Sequence, residues 1–306
     1  MVWLHGRAVS AAPSPVQRAA ATVVALRPKA PILRSGNRRP YITTHKYSDC
    51  IPARHAIQFP KQPSHDLGQN EAFFYLTEGG ETRQIKFHDY DAIYDRPGLY
   101  EQLFYERLRC QSPEVVVSRL TGAVEHARES IQTQRVLDLG AGNGIVAQEL
   151  DRVGVSRVVG LDIIPEARTA ALRDRPGAYD DYLVADMTAL SDKQRADLAD
   201  WQLTAVTCVA ALGFDDIPAP AFVAAMETIA EDGWIAFNIK TDFLRGGSGG
   251  DFADFVKLLL AEDLIELHHI ERYRHRLSID GDWLEYFVVV GRKRGALPES
   301  VRAGFA

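Results

Sequence analysis

Residues Val136–Gly144 read Val-Leu-Asp-Leu-Gly-Ala-Gly-Asn-Gly, so three glycines stand at every second position directly after an apolar run. A helical pattern then covers residues 143–154. Glycine lets the backbone turn tightly and approach a ligand closely, and the N-terminus of a helix presents N–H groups that lack intrahelical partners. The stretch therefore predicts a buried strand, a ligand-binding turn and a helix, which together form one unit of an α/β fold.

The same alternation continues on both sides of this stretch. From about residue 116, nearly continuous apolar segments alternate with amphipathic helical patterns. This arrangement is typical of a parallel sheet that is covered by helices on both faces. Near the C-terminus, two long β-prone segments flank Asp280-Gly281, a dipeptide that favours a tight turn. The chain therefore predicts an α/β sheet that ends in an antiparallel pair.

Acidic residues follow three of the predicted strands. Asp138 stands two residues before the first glycine, where its carboxylate can face a cationic ligand. Asp162 ends the next strand, and an acid at that position can accept hydrogen bonds from two ribose hydroxyls. Asp186 ends the third strand, where it could receive an adenine amino group while Met187 borders the ring. The spacing thus predicts a nucleoside-type ligand.

This series of motifs resembles the class I S-adenosylmethionine-dependent methyltransferases over roughly residues 116–294. The resemblance implies a Rossmann-like, mostly parallel sheet of seven strands with an antiparallel last strand, and S-adenosyl-L-methionine as the cofactor. It implies that Asp138 and the loop Gly140–Gly144 hold the methionine part of the cofactor, that Asp162 binds the ribose, and that residues on later strands contact the base. By the same resemblance the cofactor-binding residues are Asp138, Gly140, Gly142, Asn143, Asp162, Ile163, Asp186, Met187, Cys208 and, closing over the cofactor from the N-terminal side, Tyr94.

The rest of the chain divides into three further segments. Residues 1–45 are basic and rich in Pro and Ala, which predicts a flexible arm. Residues 46–115 predict a cap, with a hairpin around Gly79-Gly80 and then an aromatic-rich helix that has Pro97 in its first turn. Residues 116–294 form the predicted methyltransferase domain, and residues 295–306 form a C-terminal tail.

The charge distribution argues against a nucleic-acid partner. The formal net charge is −6, but residues 1–48 hold eight basic residues and no acidic one, which leaves a net charge of −14 on the remainder. Phosphate binding needs clustered Lys and Arg, which this acidic body lacks. The segment after the fourth predicted strand, Cys208–Asp216, also lacks the Asn/Asp-Pro-Pro-aromatic motif of enzymes that methylate base amino groups.

Composition also bears on location and metal content. No apolar run approaches the roughly 20 residues of a membrane helix. The three cysteines are widely scattered, which argues against disulfides and structural zinc and favours a reducing compartment such as the cytoplasm. The basic, acid-free N-terminal arm also resembles an organellar transit peptide. We expect no metal.

The chemistry implied by the resemblance does not require a catalytic triad. A methyl sulfonium is already an activated electrophile, so the enzyme mainly aligns the nucleophile and excludes water. A general base is needed only if the acceptor must lose a proton, and the sequence identifies no catalytic residue. The candidates for the substrate side are His88, Tyr90, Asp215, Lys240 and Asp242.

The sequence therefore predicts a methyltransferase that acts on a small molecule, because a cap suits a substrate that can be enclosed. A protein side-chain methyltransferase and a catalytically silent cofactor-binding module are the alternatives. A nicotinamide oxidoreductase is disfavoured, because Ile145 stands where the G-x-G-x-x-G fingerprint needs its third glycine. The sequence leaves open whether the protein is a monomer or a homodimer.

Overall fold

The computed structural model describes residues 54–61, 71–212, 216–241 and 250–305. Several sequence predictions lie outside these residues: the arm 1–45, the candidates Asp215 and Asp242, and nearly all of the glycine-rich segment 246–250. The described residues form a small N-terminal cap and a large sheet with helices on both faces.

The cap contains a three-stranded antiparallel sheet and two short helical segments. Its strands pair in the order β1-β2-β3, and Gly79-Gly80 form the predicted hairpin turn. A cluster of buried aromatic and aliphatic side chains, which includes Phe74, Phe87 and Leu103, fills the space between this sheet and the helical segments. The elements are β1 (Ala56–Gln58), β2 (Phe73–Glu78), β3 (Glu81–Lys86), α1 (Tyr90–Tyr94) and a π-helical segment (Glu101–Arg107).

The aromatic-rich segment is two helical pieces rather than one helix that starts at Pro97. Helix α1 ends at Tyr94, and Gly98 has a positive φ of 77°. Pro97 has no N–H for a helical hydrogen bond, and most L-residues avoid the φ of Gly98, so a helix cannot run through this point. The wider π-helical turn begins only at Glu101.

The large sheet has seven strands in the order β6-β5-β4-β7-β8-β10-β9. Strand β10 pairs antiparallel with both β8 and β9, whereas the other pairs are parallel. The last strand is therefore the single antiparallel member, which confirms the topology that the resemblance implied. The strands are β4 (Arg135–Leu139), β5 (Arg157–Asp162), β6 (Asp181–Val184), β7 (Ala205–Cys208), β8 (Trp234–Lys240), β9 (Ile265–Leu277) and β10 (Trp283–Lys293).

Helices cover both faces of this sheet. Successive side chains of a strand point to opposite faces, so Val136 and Leu137 are both fully buried but in separate hydrophobic clusters. This explains why β4 is apolar without alternation. The helices are α2 (Ser112–His126), α3 (Ile145–Val153), α4 (Pro165–Asp174), α5 (Asp192–Asp200), α6 (Ala219–Thr228), α7 (Gly250–Ala261) and α8 (Glu299–Gly304).

The C-terminal residues pack on the domain. The sequence analysis separates residues 295–306 as a tail, but Leu297 and Val301 are buried in the same hydrophobic cluster as Leu137. The Phe305 ring also lies 5.0 Å from the Phe255 ring, centroid to centroid. These apolar side chains anchor α8, an element too short for helical periodicity to reveal it.

Candidate cofactor site between cap and sheet

A cavity of about 170 Å³ opens where the parallel strands end and the cap begins. Ligands of open α/β sheets bind at this edge, beyond the carboxyl ends of the strands. Three groups line the cavity: cap tyrosines, residues at the ends of the parallel strands, and residues at the start of α6. The residues are Tyr90, Tyr94, Tyr100, Leu139, Gly140, Leu161, Asp162, Ile163, Ile164, Ala185, Asp186, Met187, Val209, Ala210, Ala211, Asp216, Ile217, Pro218 and Ala221.

The glycine loop makes the tight turn that its sequence predicts. The N–H groups of Gly140 and Ala141 both donate to the carbonyl oxygen of Leu161, at 2.9 and 3.1 Å. A β-carbon on Gly140 would lie 2.8 Å from Cδ1 of Ile217, and its φ is +71°. Glycine is therefore favoured here both by the backbone conformation and by the close approach of Ile217, which precedes α6.

Asp162 lies at the cavity and is held by backbone groups. Its carboxylate accepts hydrogen bonds from the N–H of Gly142 at 2.9 Å and of Ile164 at 3.0 Å, one on each oxygen. Burial raises the pKa of this carboxyl, and the backbone N–H groups oppose the shift. The backbone N–H of Ile163 also lowers this pKa. A carboxylate has about four acceptor positions, so capacity for a further donor remains.

Asp138 lies beneath the loop rather than in the cavity. Its fully buried carboxylate accepts from the hydroxyls of Tyr179 and Thr207, both at 2.8 Å. Burial raises its pKa to about 7, and the two hydroxyls oppose the shift. The Tyr179 hydroxyl also lies 3.0 Å from the carbonyl oxygen of Ala141, so this group fixes the loop from below.

Asn143 joins the loop to the cap. Its side-chain amide donates to Oε1 of Glu101 at 2.7 Å, and Arg175 contacts the same oxygen at 2.8 Å. Arg175 also donates to the carbonyl oxygen of Asn143 at 3.0 Å. Asn143 is buried and lines no part of the cavity, so its contacts here are with the cap.

The residues predicted for the nucleoside lie together at one end of the cavity. Ile163 lines it and is 62% exposed, an unusual exposure for a large aliphatic side chain, whereas Met187 is buried beside it. Asp186 accepts from the N–H and hydroxyl of Thr188 at 2.8 and 2.7 Å, and these bonds lower its pKa.

Cys208 does not line the cavity. It is the last residue of β7, is fully buried, and belongs to the hydrophobic cluster on one face of the sheet. Burial holds the pKa of its thiol well above the usual value. The backbone turns only after Cys208, so Val209, Ala210 and Ala211 face the cavity instead.

Three cap tyrosines cover the cavity. The Tyr94 ring stacks on Tyr90 at 5.9 Å between centroids and lies 5.2 Å from the Tyr100 ring. The carbonyl oxygen of Tyr94 accepts from Nη1 of Arg173 at 3.0 Å, which ties α1 to α4. A β-carbon on Gly142 would lie 2.6 Å from the Tyr94 hydroxyl oxygen. The cap therefore sits directly on the glycine loop.

A second, smaller cavity of about 40 Å³ adjoins the first, and we call it the inner cavity. It is lined by aromatic cap residues and by polar residues from the ends of β9 and β10. The two cavities share Tyr90, Tyr100, Ala210 and Asp216. The lining residues are Phe87, His88, Tyr90, Tyr100, Phe104, Cys110, Ala210, Leu212, Asp216, His275, Arg276 and Tyr286.

Some of the residues predicted for the substrate side line these cavities and others do not. His88 lines the inner cavity, and its Nδ1 lies 2.8 Å from Oδ1 of Asp216. Tyr90 lines both cavities, whereas Lys240 ends β8 and lines neither. Asp216 is the neighbour of the predicted residue Asp215 and was not itself predicted. Arg276 was not predicted either, because nothing in the sequence relates β9 to the cap.

Within the described ranges, no group of three or more His, Cys, Asp or Glu side chains could hold a metal ion. Among the helices of those ranges, none combines the length and the hydropathy needed to cross a membrane.

Comparison with known proteins relates part of this chain to a protein family. Residues 137–237 match a family model described as a methyltransferase domain. A segment of 110 residues is 27% identical to a ubiquinone biosynthesis O-methyltransferase of Hydrogenovibrio crunogenus and covers 36% of this chain and 44% of that protein. The chain thus spans less than half the length of the curated relative that it matches.

Solved methyltransferase structures are similar to this chain at low identity. The N-methyltransferase NodS of Bradyrhizobium japonicum WM9, in complex with S-adenosyl-L-homocysteine, gives a TM-score of 0.46 at 11% identity and covers 68% of this chain and 97% of that one. The magnesium protoporphyrin IX methyltransferase of Synechocystis PCC 6803, with bound SAM, gives 0.41 at 14% identity and covers 59% and 79%.

Proposed function

We propose that this chain, whose residues 137–237 match a methyltransferase domain, is an S-adenosylmethionine-dependent enzyme that transfers a methyl group to a small molecule enclosed beneath its N-terminal cap. The observation that carries this proposal is the roof of three cap tyrosines over a cavity that Gly140 of the glycine loop and Asp162 both line. A lid of this kind excludes water and encloses a small acceptor.

The residues of the larger cavity suit S-adenosylmethionine. The backbone N–H groups of Gly142, Ile163 and Ile164 act on the Asp162 carboxylate, which has about four acceptor positions and so keeps capacity for a ribose hydroxyl. Ile163 and Met187 offer apolar surface for the adenine ring, and the unusual exposure of Ile163 is consistent with a ligand surface there. Gly140 lets the backbone approach the methionine part.

When bound, this cofactor supplies a methyl group on a positively charged sulfur, which a nucleophile can attack directly. The chain then has to align the acceptor and to exclude water. Tyr90, Tyr94 and Tyr100 close the cavity, and Asp216 holds His88 at the boundary between the two cavities. An imidazole oriented by a carboxylate is suited to take a proton from an acceptor that must lose one.

Four predicted cofactor-binding residues line neither cavity, and we assign them indirect roles: Asp138, Gly142, Asn143 and Cys208. Asp138 supports the loop through Tyr179, and Asn143 links the loop to Glu101 of the cap. Cys208 fills the hydrophobic core below the site. Their substitution should act on cofactor affinity through the shape of the loop.

A small acceptor is favoured over a protein side chain by the enclosure of the inner cavity. That cavity adjoins the cofactor cavity through Tyr90, Tyr100, Ala210 and Asp216, and cap residues cover it. A protein substrate would need an open channel to the methyl group. A catalytically silent module remains the second candidate, since binding of the cofactor does not require turnover.

Calorimetric titration of the full chain with S-adenosylhomocysteine and S-adenosylmethionine tests the cofactor site. We expect binding to the wild type and an affinity at least tenfold lower for Asp162→Asn. The matched control is Asp180→Asn, because Asp180 also accepts from a backbone N–H of the sheet, that of Val158 at 2.9 Å, but lies outside both cavities. Equal affinities in the two variants would contradict the assignment. Binding without methyl transfer to any of a broad set of metabolites would favour the silent module.

A further inference from the structure

The inner cavity contains a buried cation. Arg276 is 6% exposed, and its guanidinium lies 5.4 Å from the centroid of the Phe87 ring and 5.9 Å from that of Phe104. Its hydrogen bond to the protein is made by Nη1, which donates to the carbonyl oxygen of Leu277 at 2.9 Å. The aromatic faces attract the cation, but they are neutral.

No carboxylate in the described part of the chain forms an ion pair with Arg276. Asp216 lines the same cavity, but its Oδ1 is engaged by His88 at 2.8 Å. Among the described residues, Nη1 of Arg276 makes a hydrogen bond to the protein, and the residue lines the inner cavity. A buried charge of this kind is expensive unless a partner of opposite charge reaches it.

The positive charge of Arg276 affects the titratable residues around it. Burial lowers the pKa of His275 well below its usual value, and the Arg276 charge lowers it further, so His275 is neutral and does not compete for an anion. Nδ1 of His275 lies 2.6 Å from the Ser112 hydroxyl oxygen, which satisfies that ring nitrogen. The negative charge of Asp216 opposes an incoming anion, and the bond to His88 offsets part of that repulsion.

The size of the cavity limits what can enter. At roughly 10–15 Å³ for each water-sized site, about 40 Å³ holds on the order of three heavy atoms. A carboxylate group has this size, and its two oxygens match the fork of a guanidinium. The rest of the molecule would extend past Tyr90 and Tyr100, the walls that the inner cavity shares with the cofactor cavity.

We propose that the methyl acceptor is a small carboxylic acid whose carboxylate binds Arg276 in the inner cavity while its body lies against Tyr90 and Tyr100. This inference rests on the function proposed above, because it takes the larger cavity as the cofactor site. The carboxylate anchors one end of the acceptor and directs the other end toward the cofactor cavity and the His88–Asp216 pair.

A thermal-shift titration of the full chain with S-adenosylhomocysteine present tests this subsite. The probes are benzoate, 3-hydroxybenzoate and hexanoate, each compared with its primary amide, together with inorganic phosphate. We expect at least one acid to raise Tm by several degrees while its amide does not. Equal shifts from acid and amide, no shift from any acid, or an equal shift from phosphate would overturn the proposal.

Two Arg variants separate a binding role from a structural one. Arg276→Met keeps the apolar packing on Phe87 and Phe104 but removes the charge. We expect it to lose the acid-dependent shift, because the cation that binds the carboxylate is gone. The matched control is Arg274→Met on the same strand, where the exposed guanidinium lies 5.3 Å from the Trp283 ring. This control should keep the acid response.

The outcomes distinguish failure of the inference from failure of the proposed function. Calorimetry with S-adenosylhomocysteine reports on the cofactor cavity alone, and Arg276→Met should leave that affinity unchanged. If S-adenosylhomocysteine binds and Arg276→Met retains the acid response, the inference is wrong and the proposed function stands. If S-adenosylhomocysteine fails to bind the wild type, the proposed function is wrong and the inference fails with it.

Discussion

The hydroxyl of Tyr94 occupies the space beside Gly142 that a β-carbon would need, since the two would be 2.6 Å apart. The next atom of the ring, Cζ, would be 3.5 Å away, which is ordinary contact. The Tyr94 hydroxyl oxygen is therefore one point at which the cap packs closely on the glycine loop.

This contact predicts a coupled pair of substitutions. Gly142→Ala should weaken S-adenosylhomocysteine binding by at least tenfold, because its φ of +52° is strained for alanine by about 1–2 kcal/mol and because the new methyl group displaces Tyr94. In a Tyr94→Phe background the same change should cost less, since the clashing oxygen is absent. A double-mutant cycle by calorimetry measures the difference. Additive effects would show that the two residues do not meet in solution.

The buried carboxyl of Asp138 predicts a pH dependence of stability. Its folded pKa of about 7 lies above the value of 3.8 that it has when unfolded. Between these values the folded state keeps the proton that the unfolded chain has released, so the wild type loses stability as pH rises through this window, by up to about 1.4 kcal/mol per unit.

Asp138→Asn removes this titration. Chemical denaturation of wild type and variant between pH 4.5 and 8 should therefore give free energies of unfolding whose difference changes up to about pH 7 and is constant above it. Parallel curves across the whole range would mean that Asp138 titrates alike in both states.

The hydrogen bond from Arg173 to the carbonyl oxygen of Tyr94 is expected to slow the opening of the cap. Arg173→Met removes the donor to the carbonyl oxygen of Tyr94, so α1 should exchange its amide hydrogens faster and S-adenosylhomocysteine should dissociate several-fold faster. Arg168→Met, an exposed position on the same helix, is the control. Hydrogen exchange and stopped-flow dissociation provide the measurements. Unchanged rates would show that this hydrogen bond does not hold the cap closed.

Ala210 connects the hydrogen-bond network around Asn238 to the two cavities, and this connection leads to a prediction. It lines both cavities with a positive φ of 58°, and its N–H donates to Oδ1 of Asn238 at 2.7 Å. Asn238 also donates to the hydroxyl oxygens of Ser112 at 3.1 Å and Tyr273 at 2.8 Å. Asn238→Ala leaves the Ala210 N–H without this acceptor and removes the bonds to Ser112 and Tyr273, whose hydroxyls still contact each other at 2.6 Å. It should lower the free energy of unfolding by about 2–4 kcal/mol.

The same variant should weaken cofactor binding, because Ala210 loses the bond that holds its unusual conformation. Tyr273→Phe serves as the comparison. It removes one member of the network but leaves the bond to Ala210, so it should lower stability with little change in S-adenosylhomocysteine affinity. Equal loss of affinity in both variants would assign the effect to global destabilisation.

The sheet and the position of Asp162 could be predicted from sequence because their signals are local. The glycines of the loop follow an apolar strand directly, and Asp162 ends the next strand, so periodicity and position were enough to place both at one sheet edge. The roles of the loop residues and acids in binding stay predictions.

The partners of the predicted residues could not be foreseen, because they come from distant parts of the chain. Nothing near Asp138 indicates that Tyr179 and Thr207 would satisfy its carboxylate. Arg276 reaches the cap because β10 lies between β8 and β9 with two irregularities in the register of the β9–β10 pair, and the sequence does not specify where such irregularities fall.

Tyr90 and Tyr100 line both cavities, so a movement of these two side chains would open both cavities to solvent at once. Under the proposed function, the spent nucleoside and the methylated product would leave through one event, and the slower of the two departures would set the turnover time. The shared wall also suggests a design for an inhibitor. An inhibitor in which an adenosine-like group is joined to a short carboxylic acid would occupy both cavities. It would stabilise the closed position of the cap and so slow its own dissociation.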